Sequence, residues 1–314
     1  MRSYIIRRVL LLIPLVFGIA TITFIMIHVI PGDPLQIMMG QNRQFTAEER
    51  ARIASSLGLD DPLLVQYGRY ITNLLLKGDM GMSITTRSPV SYEIFQRLPS
   101  TLALTASSML IVILVSIPMG IMSGLKRGTW IDTLIMAGSL LGVSMPAFWF
   151  GIMLMLVFSL YLGWLPTVGE GKTAVEFLRS LVLPSVTLSM ILLGLTIRMV
   201  RSSILEVLNK DYIRTARAKG LKTRLITLRH ALPNAAIPIL TVISGQIANL
   251  LGGVVVIESV FGWPGIGRLA VNAVFQRDYQ VVTGTVILFS AMVIIINLLT
   301  DLLYSFIDPR IRLQ

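Results

Sequence analysis

Six stretches of this chain run for 18 to 30 residues without a charged side chain: residues 9–30, 101–125, 133–162, 180–197, 231–257 and 281–300. A helix rising 1.5 Å per residue needs about 20 apolar residues to cross about 30 Å of hydrocarbon, so each stretch predicts a transmembrane helix. Alternation of period two does not recur along the chain, which argues against a transmembrane β-barrel. The pattern therefore predicts an all-α integral membrane protein with six transmembrane helices. The fourth stretch is the shortest and is expected to extend past Arg198. The third is too long for one straight perpendicular span, and Pro146 within Ser144-Met145-Pro146 predicts a kink or a tilt. The first has a basic start (Arg2, Arg7, Arg8) and a loose small-x-small site at Gly18-Ile19-Ala20, as a signal peptide would. Its 22 residues exceed the roughly 7–15 of a signal h-region, so it is read as a retained helix.

Between the first two spans lies a segment of about 70 residues, 31–100, on one side of the membrane. Pro31-Gly32-Asp33-Pro34 stops the first helix. Thr46-Ala47-Glu48-Glu49 is a loose capping-box start for a short helix reaching about Ser56. Asp61-Pro62 opens an amphipathic stretch over 63–77, with Leu64, Val65, Tyr67, Ile71 and Leu74 available for one face. The segment is too short and polar for a large independent domain and is expected to pack on the membrane helices or a partner.

Composition sharpens the class. The 314 residues are 54% hydrophobic and 14% charged, with a mean hydropathy of +0.77, against about 25% charged in a soluble domain. An ordinary cytosolic enzyme is excluded. The net charge of +11 would suggest nucleic acid in a soluble protein; here it points to basic cytoplasmic loops instead. With both termini cytoplasmic, the inner segments hold 16 Lys and Arg against five acids, and the outer segments 11 against 11. Positive charge gathers inside, so the orientation is N-in, C-in. Trp130, Trp164 and Trp263 fall at span edges, where amphipathic rings prefer to sit. Trp149 lies mid-span, three residues after Pro146, and either packs between helices or lines a pathway.

The chain holds no cysteine, so disulfides, thiolate metal sites and thiol nucleophiles are excluded. Gly171-Lys172-Thr173 is no phosphate loop, because the Gly that motif needs five residues earlier is Pro166. Gly262-Trp263-Pro264-Gly265-Ile266-Gly267 has the wrong spacing for a dinucleotide fingerprint and is read as an external re-entrant turn. Glu258 before it either marks the interface or contacts an outer gate. The two histidines, His28 and His230, fall on opposite sides of the membrane. No span centre carries the cluster of ionisable groups that a proton or ion relay needs. Asp301 falls at the depth of Arg198 and Arg201, where an ion pair or snorkelling to the interface is expected. No catalytic, cofactor-binding or metal-binding constellation emerges.

The longest inner loop, about 202–232, is the most informative segment. Asp211-Tyr212-Ile213-Arg214-Thr215-Ala216-Arg217-Ala218-Lys219 predicts a helix stopped by Gly220, which can adopt the left-handed conformation of a C-terminal cap. A second short helix over 221–228 is expected to follow before Pro233 breaks it. Seven basic residues lie between Lys210 and Arg229. Leu221, Leu225, Ile226 and Leu228 among those charges suit a docked partner protein.

These residues carry a resemblance. Membrane subunits of binding-protein-dependent ABC importers share Glu-Ala-Ala, three residues, Gly, nine residues, then Ile-x-Leu-Pro. Aligned on Gly220, this chain keeps Ala216, Gly220, Leu232 and Pro233, and has Arg214, Thr215 and His230 in place of the Glu, first Ala and Ile. The run 211–221 resembles the version in the dipeptide, oligopeptide and nickel permease family. So do Pro31-Gly32-Asp33-Pro34, Leu57-Gly58-Leu59-Asp60-Asp61-Pro62, Gly163-Trp164-Leu165-Pro166, Phe261-Gly262-Trp263-Pro264-Gly265 and Ile307-Asp308-Pro309-Arg310. The segment after the first span is similar to that of the B-type permease, which works beside a C-type permease.

The resemblance implies a type I ABC importer permease fold in a bacterial-type inner membrane. Helix 1 would occupy 1–30, the external segment 31–100, the conserved transmembrane domain 101–306 and a cytoplasmic tail 307–314. It also implies the partners: a second, C-type permease, two ATP-binding subunits, an extracytoplasmic substrate-binding protein and membrane lipid, with no nucleic acid. ATP would be bound and hydrolysed by the partners, with no cofactor in this chain. Asp211, Tyr212, Arg214, Ala216, Arg217, Gly220 and Leu221 would form the ATPase-coupling loop, Gly220 setting the bend and Asp211, Arg217 and Leu221 making contact. Trp149 and Pro146 are pathway candidates, and Glu258 an outer-gate candidate. Peptides are the expected cargo, with glutathione or a nickel chelate as alternatives. A stand-alone secondary transporter would need inverted repeats and mid-membrane ionisable groups, and a membrane enzyme a catalytic cluster; neither pattern is found.

Overall fold

The long apolar stretches become helices whose ends are set by Pro, Gly and capping residues rather than by where charge begins. The computed structural model describes residues 12–29 and 61–307, with Leu10 and Thr46 as single further positions. Its helices are α1 (Leu12–Val29), α2 (Leu63–Lys77), α3 (Val90–Leu125), α4 (Trp130–Ser144), α5 (Ala147–Leu154), α6 (Ala174–Leu208), α7 (Asp211–Ala218), α8 (Leu232–Val260), α9 (Ile266–Phe275) and α10 (Tyr279–Ile307). A π-helical turn, Met155–Tyr161, prolongs α5, and another, Ile226–Ala231, leads into α8.

The all-α class is as expected. Among the described residues, four helices are long and apolar enough to cross a membrane singly, and the α4–α5 pair makes a fifth if it counts as one bent span. α1 supplies an 18-residue helix over the first apolar stretch. The third stretch does more than kink: Trp130–Ser144 and Ala147–Tyr161 meet at 103°. Pro146 cannot donate a backbone hydrogen bond and drives the residue before it out of the helical region. Met145 accordingly is extended, at φ −94° and ψ 135°. The fourth stretch passes Arg198, as expected, and reaches Leu208.

The chain divides into two compact units. One comprises residues 1–99 and 265–294. There α2 forms over the residues its periodicity predicts, but the buried side is narrower than expected. Leu74 packs with Ala20 and Ile287, with Tyr70 and Ile71 half-buried beside them, whereas Leu64 and Val65 are exposed. Tyr67 meets the edges of Phe17 and Phe24 and shares a 2.6 Å hydrogen bond with Thr21. Asp278 is buried and accepts from the Ser83 hydroxyl at 2.6 Å and the Thr85 amide at 3.2 Å. It also accepts from Val281 N–H, capping the start of α10. The expected helix near Thr46 and the motifs at 31–34 and 57–60 lie outside the described residues.

The other unit comprises 100–264 and 295–314, and α6 is its centre. Of the apolar window of α6, 67% is buried, against 28% for α3, so α6 is the packed axis and α3 a flank. Thr173 caps α6 in a reciprocal box with Glu176, which accounts for the Gly-Lys-Thr run as a helix start. Leu104, Val112, Leu188, Leu192, Leu250 and Val254 build the core where α3, α6 and α8 converge.

Candidate functional site

The inner loop is built outward from α6. After Leu208, only Asn209 and Lys210 separate α6 from α7. Asp211 in the first turn of α7 and Arg217 in the last both complement the helix dipole. Ile213 and Ala216, three residues apart, fall on one face and are buried against Val200, Ile204, Val207 and Leu208 of α6. Asp211, Tyr212, Arg214 and Arg217 are all exposed: Tyr212 and Arg217 flank the buried side, and on the far side Arg214 and Asp211 form a 3.5 Å ion pair. Of the predicted coupling residues, then, Ala216 is an anchor and Leu221 is half-buried, while Asp211, Tyr212, Arg214, Arg217 and Gly220 are exposed.

Gly220 caps the helix as expected. Its φ is +77°; its N–H reaches Arg217 O at 2.9 Å, and Leu221 N–H reaches Ala216 O at 3.3 Å. That pair of bonds is a Schellman motif, which needs a left-handed residue at this position. Leu221 folds back, half-buried, onto the Ile213 and Ala216 cluster.

Two expectations for the following segment are corrected. The second short helix does not end at Pro233: Thr223–Ile247 is helical throughout. The π-helical turn Ile226–Ala231 just before Pro233 shifts the hydrogen-bond ladder there, so the missing N–H falls at a turn where the helix is already re-registering. Ile226 is also not a partner-facing residue, being buried with Ala231 and Ala235, while Leu225 and Leu228 are exposed. Lys210, Arg214, Arg217, Lys219, Lys222, Arg224 and Arg229 are all exposed. The result is a cationic surface studded with Tyr212, Leu225 and Leu228.

Arg201 pairs with a carboxylate on another helix. Its Nε and Nη2 reach Oδ1 and Oδ2 of Asp132 on α4, each at 2.8 Å; the side chain of Asp301, expected at the same depth, lies outside the described ones. Ser123 of α3 and the Gly128 N–H donate to the same carboxylate. Sequence reasoning counted Asp132 only as an inner charge. Its place at the cytoplasmic edge of one span, with Arg201 at the same edge of another, was the available signal.

At the opposite end of this unit, Glu258 is fully buried rather than interfacial, and accepts a 2.6 Å hydrogen bond from Thr101. Trp263 is also fully buried and donates Nε1–H to Ser100 O at 2.9 Å. It is therefore no interfacial anchor, whereas Trp130 and Trp164 are exposed. The turn at 262–265 is followed by the ten-residue helix α9. Pro146 stands at the α4–α5 break, and Trp149 is 44% exposed. Gly151, about 200° further round α5, faces Thr187 and Phe261, so Trp149 points away from that packed side.

Comparison with known proteins gives the family. Residues 116–313 match the family "Binding-protein-dependent transport system inner membrane component", and residues 1–105 match its N-terminal region. The chain is 42% identical to the di/tripeptide transport system permease protein DppB of Pseudomonas aeruginosa, over all of both chains. It is 44% identical to the glutathione transport system permease protein GsiC of Salmonella typhimurium, over 99% of each. With the dipeptide permease DppB of Escherichia coli K12 the identity is 40%, again over 99% of each. In fold it resembles a chain of the inward-facing MetNI methionine ABC transporter, with TM-score 0.58 and 18% identity over 69% of this chain and 97% of that one. Several apolar spans, a type I importer fold and full-length kinship lead to one assignment: the chain belongs to the family of multi-pass inner-membrane permease components of binding-protein-dependent ABC transport systems.

Proposed function

We propose that this chain forms half of the translocation path of an ATP-driven importer for short peptides, beside a second, C-type permease. Two ATP-binding subunits dock on its cytoplasmic face, and an extracytoplasmic binding protein delivers the cargo. Both termini are cytoplasmic in this reading, because that orientation gathers the excess of Lys and Arg inside. Residues 1–30 serve as the first span, 31–100 as the external segment, 101–306 as the transporting domain and 307–314 as the tail.

The observation that carries the reading is α7: an exposed, charged helix pinned from beneath by Ile213 and Ala216 and closed by a left-handed glycine. Such a helix can receive a push without deforming. Asp211, Tyr212, Arg214 and Arg217 are the contact residues, and Gly220 and Leu221 fix the turn. Closure of the ATPases would displace α7 and exchange two rigid-body states of the path. Glu258 belongs to the outer gate, and Pro146 and Trp149 to the path wall. None of these groups hydrolyses ATP; ATP stays on the partners.

Peptide cargo follows from kinship with the two DppB chains, and glutathione is the second reading because GsiC is as similar. The test is reconstitution of the complete importer in liposomes with its binding protein. ATP-dependent uptake of labelled dipeptides is expected, with glutathione and a nickel chelate as competitors. Uptake by this chain alone on an ion gradient would overturn the proposal.

A further inference from the structure

Because only Asn209 and Lys210 join α6 to α7, whatever moves α7 acts on the last turns of α6. Those turns are seated against two neighbours with almost no side chain between. A Cβ on Gly120 of α3 would lie 2.5 Å from Val200 Cβ, and one on Gly124 would lie 3.1 Å from Ile204 Cγ2. On the other side, a Cβ on Gly194 would lie 2.3 Å from Ser139 O of α4. Arg201 sits along the same stretch of α6 and grips Asp132 of α4 through two parallel 2.8 Å hydrogen bonds, while Ser123 of α3 donates to the same carboxylate. Three helices meet on one carboxylate.

Burying such a pair is a poor route to stability, since apolar side chains of similar volume often do as well or better. What a bidentate fork supplies is direction: it fixes the rotation and height of one helix against another. Close backbone packing alone lets helices slide. α4 then runs to the 103° break, beyond which α5 carries Trp149.

We infer that Asp132 and Arg201 are a positioning pair that transmits displacement of α7 to α4, and through α4 to the broken span. The inference rests on the importer reading. Without the fork, α6 still moves when ATP is consumed, but α4 no longer follows in register.

The test uses the complete importer in proteoliposomes with its binding protein, comparing Arg201→Lys, Asp132→Asn and the exchanged pair Asp132→Arg/Arg201→Asp with the unaltered complex. The readout is substrate transported per ATP hydrolysed, which a merely structural role would leave unchanged in intact complexes. Arg201→Lys keeps the charge but loses the fork, so it should assemble normally, keep its basal ATPase rate and lose roughly five- to tenfold in that ratio, the lower range of typical coupling effects. Asp132→Asn should act in the same direction, and the exchanged pair should recover part of the loss. An unchanged ratio in assembled Arg201→Lys and Asp132→Asn complexes would overturn the inference. So would failure of every variant to assemble, which would make the pair a folding element. Absence of ATP-driven uptake in the unaltered complex would instead sink the importer reading, leaving a distinguishable result.

Discussion

Thr101 donates its hydroxyl to the carboxylate of Glu258 at 2.6 Å, and both side chains are wholly shut off from solvent. Thr101 stands on α3 and Glu258 two residues before the end of α8. One turn away, Trp263 donates to the carbonyl of Ser100, and the Ser100 hydroxyl donates to Glu170. Two adjacent residues of α3 thus gather the end of α8 and the loop before α6 into one polar knot.

Removing one member of a buried hydrogen bond leaves the other one partner short. Thr101→Val, which keeps shape and loses the hydroxyl, is expected to cost about 1–3 kcal/mol. Glu258→Gln should cost less than Glu258→Ala, since the amide oxygen still accepts. A double-mutant cycle on unfolding in detergent measures the link, and a coupling energy near zero would show that the bond contributes nothing.

At Gly220 the constraint is backbone alone, because an added Cβ would meet nothing within 4 Å although φ is +77°. A β-branched residue in the left-handed region costs about 1–2 kcal/mol, whereas Asn tolerates it. Gly220→Val is therefore expected to reduce both co-purification of the ATPase subunits and uptake, and Gly220→Asn to retain most of both. Equal losses in the two variants would point to the surface of the turn, not its conformation.

The legibility of this fold follows the range of the interactions. Local signals served well: α2 forms over the residues its periodicity predicts, Gly220 caps α7, and α6 passes Arg198. Pro146 announced a break but not its 103° angle, which depends on how α5 packs through Gly151 on Thr187 and Phe261. Partner choice across the chain was the hidden part. Arg201 and Asp132 are 69 positions apart, and nothing local to either residue announces the pairing. Trp263 read as interfacial because amphipathic residues at span edges usually are, and Glu258 as either interfacial or a contact at an outer gate; tertiary packing buried both. Ile226 read as exposed because its neighbours are charged, but the π-helical turn rotates it inward.

Two glycines offer a matched pair for the packing of α4 on α6. Gly138 of α4 has open space where a Cβ would go, whereas at Gly194 of α6 the Ser139 carbonyl and the Val143 side chain occupy it. Gly138→Ala should be neutral or stabilising by up to about 1 kcal/mol, through helix propensity. Gly194→Ala must push the helices apart and is expected to cost about 1–3 kcal/mol, as overpacking does. Thermal unfolding of the two purified variants checks the contrast; equal shifts would contradict the close approach.

The same separation can be made within α7, where one helix must both hold to its own subunit and meet another. Ile213 is fully buried and Tyr212, its neighbour, 45% exposed. Truncating Ile213 to Ala removes packing from a core position and should cost about 2–5 kcal/mol, lowering the melting temperature of this chain with no ATPase subunit present. Tyr212→Ala is a surface change and should alter stability by no more than about 0.5 kcal/mol. If the exposed face is the docking face, however, Tyr212→Ala should weaken ATPase binding by several-fold. The cationic rim adds a further signature: attraction between exposed charges is screened beyond about 8 Å at physiological ionic strength. ATPase association should therefore weaken with added salt, and less steeply after Arg214→Gln and Arg217→Gln. Binding titrations at two salt concentrations, run beside melting curves, resolve anchoring from docking. Loss of stability in Tyr212→Ala with ATPase binding intact would reverse the assignment of the two faces.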